Sequence, residues 1–306
     1  MKLGFITSCF PDEDLAWIAG WAGQAGFDAL EIAAWPARGR PGHGPSHLDV
    51  VGFDARAADA TTSLLDGHRL SISAIGYYEN NLASDPVRRA QIHEHLRRCI
   101  DAAALLRCPL VGTFIGRDVT LSVSDNLALA ETLLPPLVDH AGERGVRLVI
   151  ENCPMEGWHP DGYPGNLAYS PELWEWMFSL GFFLNFDPSH LVWLGIDPVV
   201  ALRPYVDRVL HAQAKDTQLD LSARDRYGFY GRTIGRSGPW DVGWWRYRVP
   251  GRGDIDWRAI LDTLQEGGFD GTLSVEHEDP VWGGTVERVQ RGLEIAGRTL
   301  RPLMVP

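Results

Sequence analysis

Asn185-Phe186-Asp187-Pro188-Ser189-His190 is the stretch on which the reading of this chain turns. A short apolar run, 182–186, stops abruptly at an acid, a proline, a small polar residue and a histidine. Buried strands read this way where they leave a sheet. Asp187 and His190 are therefore expected just beyond a strand's carboxyl end. Three other apolar runs stop at the same kind of residue: Arg147-Leu148-Val149-Ile150-Glu151, Val209-Leu210-His211 and Leu273-Ser274-Val275-Glu276. Four strands that each deliver one oxygen or nitrogen donor form the pattern a divalent cation requires.

Outward from these runs, strands are expected over 3–7, 27–32, 70–75, 110–115, 146–151, 182–187, 206–214 and 272–276. Helical spacing fills 14–25, 54–66, 86–106 and 122–144, with a break or kink at Pro135-Pro136. Further helices start at Ser170-Pro171 and Asp197-Pro198, and two more occupy 256–266 and 285–300. Strands alternating with helices predict a parallel sheet, and eight units predict a closed (β/α)8 barrel with long loops at its carboxyl face. With no linker in sight, residues 1–306 are read as one domain. Active sites of such barrels lie at the carboxyl ends of the strands. Glu151, Asp187, His211 and Glu276 fall there, although His211 lies inside its run. Residues 215–256 show no clear periodicity and read as a functional loop or lid. The segment 240–248 reads as an elaboration on the core.

Bulk properties narrow the class. Hydrophobic residues make up 45% and charged residues 22%, ordinary values for a globular protein. A net charge of −12 without a basic stripe argues against a nucleic-acid partner. The cysteines Cys9, Cys99, Cys108 and Cys153 contain no C-x-x-C pair, which fits reduced thiols and a cytoplasmic setting. Cys99 and Cys108 read as small buried hydrophobes. No run is long and apolar enough for a signal peptide or a membrane span.

Each candidate has a plain reading. Glu151 alone could be a salt-bridge partner, Asp187 a turn initiator, His211 a satisfied buried histidine, and Glu276-His277-Glu278-Asp279 a solvated acidic loop. Four at consecutive strand ends are harder to reach by chance. Three carboxylates and an imidazole suit one manganese ion, with magnesium or cobalt as alternatives. So anionic a site disfavours phosphate or DNA and tolerates neutral polyols.

The chain resembles the xylose isomerase-like barrels, the superfamily of sugar isomerases and epimerases. The resemblance is carried by Ile150-Glu151-Asn152, by Asp187-Pro188-Ser189-His190, by His211-Ala212-Gln213-Ala214-Lys215-Asp216, by Pro250-Gly251-Arg252-Gly253-Asp254-Ile255-Asp256-Trp257 and by Ser274-Val275-Glu276-His277-Glu278. Met1-Lys2-Leu3-Gly4-Phe5 and Ala29-Leu30-Glu31-Ile32 extend it over essentially the whole chain. It implies metal ligation by Glu151, Asp187, His211 and Glu276, and contact of His190 with a substrate oxygen. Two departures stand out. Lys215-Asp216 replaces the arginine usual in ketose 3-epimerases, and the second glutamate of those enzymes corresponds to Glu156 in a larger loop.

The expected reaction is proton abstraction beside a carbonyl, with Glu151 and Glu276 as base and acid, and His190 and Lys215 holding oxygens. Lys215 could instead pair with Asp216. Trp35, Tyr77, Tyr78, Phe114, Trp158, Trp193, Trp244 and Trp245 are expected near the mouth, where rings such as Trp35 would stack on a sugar. The runner-up is a lyase that uses the same enolisation to dehydrate an inosose or cleave an oxidised C-glycoside. An endonuclease IV-like nuclease and a non-catalytic sugar binder are weaker alternatives. The expected partner is a small sugar or glycoside, in a homo-oligomer or with a small partner subunit.

Overall fold

The computed structural model describes residues 1–159, 163–237 and 241–304. Trp240, where the expected elaboration begins, and residues 160–162 of the loop after Glu151 lie outside the described residues. Eight parallel strands close into a barrel. They are β1 (Lys2–Ile6), β2 (Ala29–Ala33), β3 (Ser71–Gly76), β4 (Leu110–Thr113), β5 (Arg147–Glu151), β6 (Phe183–Phe186), β7 (Val209–Ala214) and β10 (Thr272–Val275). β1 pairs with both β2 and β10, so the two ends of the chain close the ring. The strand order runs β1-β10-β7-β6-β5-β4-β3-β2, and the alternation of strands and helices read in the sequence stands.

Local chemistry sets the element ends. Asp14, Asp54, Asp85, Ser122, Asp256 and Thr285 each accept a backbone N–H of the helix they open. Pro135 splits the expected helix 122–144 into Val123–Leu133 and Pro135–Glu143. Asp187 caps a short helix, Pro188–Trp193, that turns His190 back over the barrel mouth. The apolar faces of helices and strands meet between the two shells, with Leu3, Ile32, Leu96, Trp174, Leu261 and Leu293 in that core.

Residues 215–256 are not structureless. β8 (Asp216–Leu219) pairs antiparallel with β9 (Trp245–Arg248), and helix Leu221–Tyr227 follows β8. Asp216 ties this arm down. Its buried carboxylate accepts N–H groups from Thr217 (2.8 Å), Gly251 (2.9 Å), Ile255 (3.2 Å) and the Trp257 indole (3.1 Å). A Cβ on Gly253 would lie 2.3 Å from Asp216 Oδ1, so only glycine lets the loop come this close. Replacing Asp216 with Ala strands several buried donors, a loss of about 3 kcal/mol. Urea unfolding of Asp216→Ala should show it, whereas a loss below about 1 kcal/mol would mean that water satisfies those donors.

Candidate functional site

The alternation of β7 arranges the barrel interior. His211, Gln213 and Lys215 lie two residues apart and point inward at successive depths. At the deepest level the His211 Nδ1–H donates to Asn185 Oδ1 (2.9 Å), and Nε2 accepts the Ser73 hydroxyl (3.1 Å). Above it Gln213 Nε2 donates to both oxygens of Glu31 and to the Tyr78 hydroxyl, all at 3.3 Å. Tyr78 donates to Glu31, Ser274 donates to the other Glu31 oxygen at 2.8 Å, and Asn185 donates to Tyr78 at 2.9 Å. Tyr78 reaches this level because Gly112 leaves it room: a Cβ there would sit 2.3 Å from the Tyr78 oxygen.

The top level carries the charge. Lys215 is buried, and its ammonium lies 2.7 Å from Glu276 Oε2, 3.2 Å from Glu278 Oε2 and 3.4 Å from Asp187 Oδ2. It also sits 4.6 Å above the Tyr247 ring. His190 Nε2 lies 3.0 Å from Glu151 Oε1 and 3.2 Å from Asp187 Oδ2, and its Nδ1 meets the Tyr247 hydroxyl at 2.9 Å. Four carboxyls therefore face two cationic side chains. Burial and the neighbouring acids raise the Glu276 pKa well above the carboxylate range, against the pull of Lys215. Burial raises Glu151 as well, only partly offset by His190 and Lys215. Asp187 goes the other way: burial opposes its charge, but Lys215 and His190 hold it down at about 2. Burial opposes the His190 imidazolium too, yet Asp187 beside it keeps its pKa well above the usual value.

This cluster floors a cavity of about 540 Å3, within the usual range of ligand sites. Trp35, Tyr78, Phe114, Trp245 and Tyr247 wall it. Carboxylate oxygens of Glu151, Asp187 and Glu276 lie within 4.8 Å of one another. Asp187 Oδ2 is held by its two ion-pair contacts, to His190 and Lys215. Closely spaced hard oxygens in a site with more acids than cations fit a divalent cation. Cys153 Sγ comes equally near Glu151 and His190, but burial pushes its thiol up to about 12, so it stands as a neutral group beside the cluster.

A family model described as xylose isomerase-like TIM barrel matches residues 19–298. The chain belongs to the xylose isomerase-like TIM-barrel family. Within it, the chain is 25% identical to the uncharacterised protein YfiH of Bacillus subtilis, over 91% of this chain and 93% of that one. It is 33% identical over 109 residues to an inosose dehydratase of Clostridium tetani, 34% of this chain and 34% of that one. That aligned stretch thus spans about a third of the curated relative's length. The crystal structure of a D-psicose 3-epimerase from Clostridium cellulolyticum superposes with a TM-score of 0.66 at 15% identity, over 99% of each chain, a likeness of fold.

Among family-implied residues, the fold brings Glu151, Asp187, His190, Lys215 and Glu276 together. His211 does not join them. It lies two levels below Lys215, with both ring nitrogens engaged, and burial lowers its pKa so that it stays neutral. Lys215 does not pair with Asp216, which points outward into the 250s loop. Glu156 lines a neighbouring cavity rather than the main one. Trp35 lines the main cavity, but Tyr77 packs into the core and Trp158 packs on Phe114 from behind. Tyr78 was expected at the mouth, but Cys153, Tyr247 and Glu278 were not singled out as site residues by the sequence reading. For Tyr247 the available signal was the alternation through Trp245, Arg246 and Tyr247 opposite Thr217-Gln218-Leu219.

The layering makes a prediction. His211→Ala should cost about 3 kcal/mol of stability, since it opens a buried gap and strands Asn185 and Ser73, while leaving divalent-ion binding in place. Glu276→Gln should weaken ion binding at least about tenfold. Calorimetric titration with manganese checks both, and loss of binding in His211→Ala would restore His211 as a ligand.

Proposed function

We propose that this protein is a divalent-metal-dependent enzyme that removes a proton beside the carbonyl of a sugar or keto-sugar and returns it to give an isomer or epimer. The observation that carries this reading is the cluster itself: Glu151, Asp187 and Glu276 bring carboxylate oxygens within 4.8 Å of one another at the floor of the cavity, beside the side chains of His190 and Lys215. Carboxyls gathered at a strand-end cavity can hold an ion and move a proton beside it. Glu151 and Glu276 stand at the two ends of the arc β5-β6-β7-β10, so they approach a sugar above the floor from two directions. One takes the proton and the other supplies it.

Glu151, Asp187 and Glu276 are the residues that would hold the ion, with manganese preferred and magnesium or cobalt as alternatives. When bound, the ion supplies Lewis acidity toward the carbonyl oxygen and the charge that develops there. Lys215 stays an ammonium, since its carboxylate neighbours outweigh the cost of its burial, and it donates to a substrate oxygen. His190 orients Glu151 and Asp187 through its Nε2. Trp35 and Tyr78 offer ring faces to the sugar. Because β1 and β10 pair to close the barrel, residues 1–306 act as one unit in this reading.

The family relatives support a carbonyl-bearing polyol as substrate, since one is named an epimerase of a ketose and another a dehydratase of an inosose. The dehydratase likeness supports a second reading, in which the same proton removal is followed by loss of a group from the next carbon. His190, protonated and lining the cavity, would then give its proton to the departing oxygen.

Incubation in deuterated water with a panel of ketoses, inososes and 3-keto-glycosides tests the proposal. Deuterium should enter the substrate only with the ion present, and Glu151→Gln and Glu276→Gln should each slow entry by about 10²–10⁴-fold. An epimer among the products assigns an isomerase, and an eliminated group a lyase. Absence of exchange across the panel with manganese, magnesium and cobalt sinks both readings.

A further inference from the structure

Beside the main cavity lies a smaller one of about 210 Å3. Trp245 stands in the wall of both. Trp193 stacks on Trp245 with centroids 4.7 Å apart and planes 11° from parallel. Phe229, Tyr163 and Tyr230 meet edge to face across the far side. Glu156 looks into this annex. It is 4% exposed, and neither carboxylate oxygen has a hydrogen-bond partner among the described residues. Met155 precedes it at φ +50°, a conformation that L residues rarely adopt and that sets where Glu156 points. Buried acceptors without donors are rare, and such orphans ask for a ligand or a bound water.

The chemistry of the annex narrows its occupant. An aromatic lining packs well against another ring, and an acceptor-rich carboxyl asks for hydroxyl donors. The Arg236 guanidinium also lines the annex, which disfavours a cationic guest, and Glu156 disfavours an anionic one. A neutral ring that carries hydroxyl groups satisfies both conditions.

We propose that the annex is a second binding subsite, which holds a hydroxyl-bearing ring joined to the reacting sugar, so that the preferred substrate is a glycoside and not a free monosaccharide. This rests on the keto-sugar reading of the main cavity. The linked ring is a second sugar or a phenol, and both share the stacking face and the hydroxyl donors.

Calorimetric titration of the full chain, loaded with manganese, tests this with three unreactive probes: methyl β-D-glucopyranoside, cellobiose and 4-hydroxyphenyl β-D-glucopyranoside. Cellobiose or the phenolic glucoside should bind at least about tenfold more tightly than the methyl glucoside, and the tighter of the two names the ring. Glu156→Leu should bring the probes to within about twofold of one another. It removes an unsatisfied carboxyl, so its melting temperature should equal or exceed that of the parent. Should Glu156→Leu not fold, Phe229→Ala, on the exposed rim, tests the same ratio. Equal affinities in the parent, no binding by the two larger probes, or a preference that survives both variants overturns the proposal. Deuterium exchange is read separately. Exchange without the preference removes the annex alone, and the preference without exchange removes the enolising chemistry alone.

Discussion

The ammonium of Lys215 holds the centre of this structure. Taking a charge out of water is costly unless partners surround it, and here Glu276, Glu278 and Asp187 do so within 3.4 Å. The benefit is mutual. Without that cation, three strands would bring acids to one buried place with nothing but His190 between them. Even with both cations present the acids remain in excess, on top of the burial that raises the pKa values of Glu151 and Glu276. A dication relieves it. Lys215 thus keeps the cluster foldable and leaves it short of neutral.

How Lys215 arrives there is a matter of strand register. Side chains two apart on β7 descend into the barrel like rungs, and each rung is matched by polar groups from other strands. Barrel interiors are ordinarily filled by branched apolar side chains. This one trades part of that packing for a hydrogen-bonded column running from Ser73 and His211 up through Glu31, Tyr78 and Gln213. Gly112 is the concession that admits the Tyr78 ring across the axis. Asn185 ties two of these levels together, since it accepts from His211 and donates to Tyr78.

The barrel was legible in the sequence because its signals are local. Apolar runs, Asp and Ser caps, and Pro135 each act within a few residues of themselves, and the structure places the elements where those signals fall. Glu151, Asp187 and Glu276 were legible for the same reason, each ending its own run. His211 was already read as lying inside a strand that reaches 214, but the sequence does not show how deep that position is. The register of β7 against Asn185 sets it two levels below Lys215. The arm of β8 and β9 was invisible because its strands lie far apart in sequence, and their partnership depends on Asp216 gripping a third segment. The direction of Glu156 depends on one residue's unusual backbone angle, for which the sequence around Met155 holds no cue.

The arm also explains why the cavity has two rooms. β9 sends Tyr247 over Lys215 and His190, and Trp245 to the edge that the main cavity and the annex share. One short strand thereby touches the charged floor and sets the shape of the space above it. The chemistry of the site turns on where a divalent ion sits relative to that floor. Anomalous diffraction from crystals of the protein soaked in manganese measures this directly. One ion is expected in contact with Glu151, Asp187 and Glu276, with Lys215 and His190 beside it. An ion on His211, or none at saturating manganese, would contradict that placement.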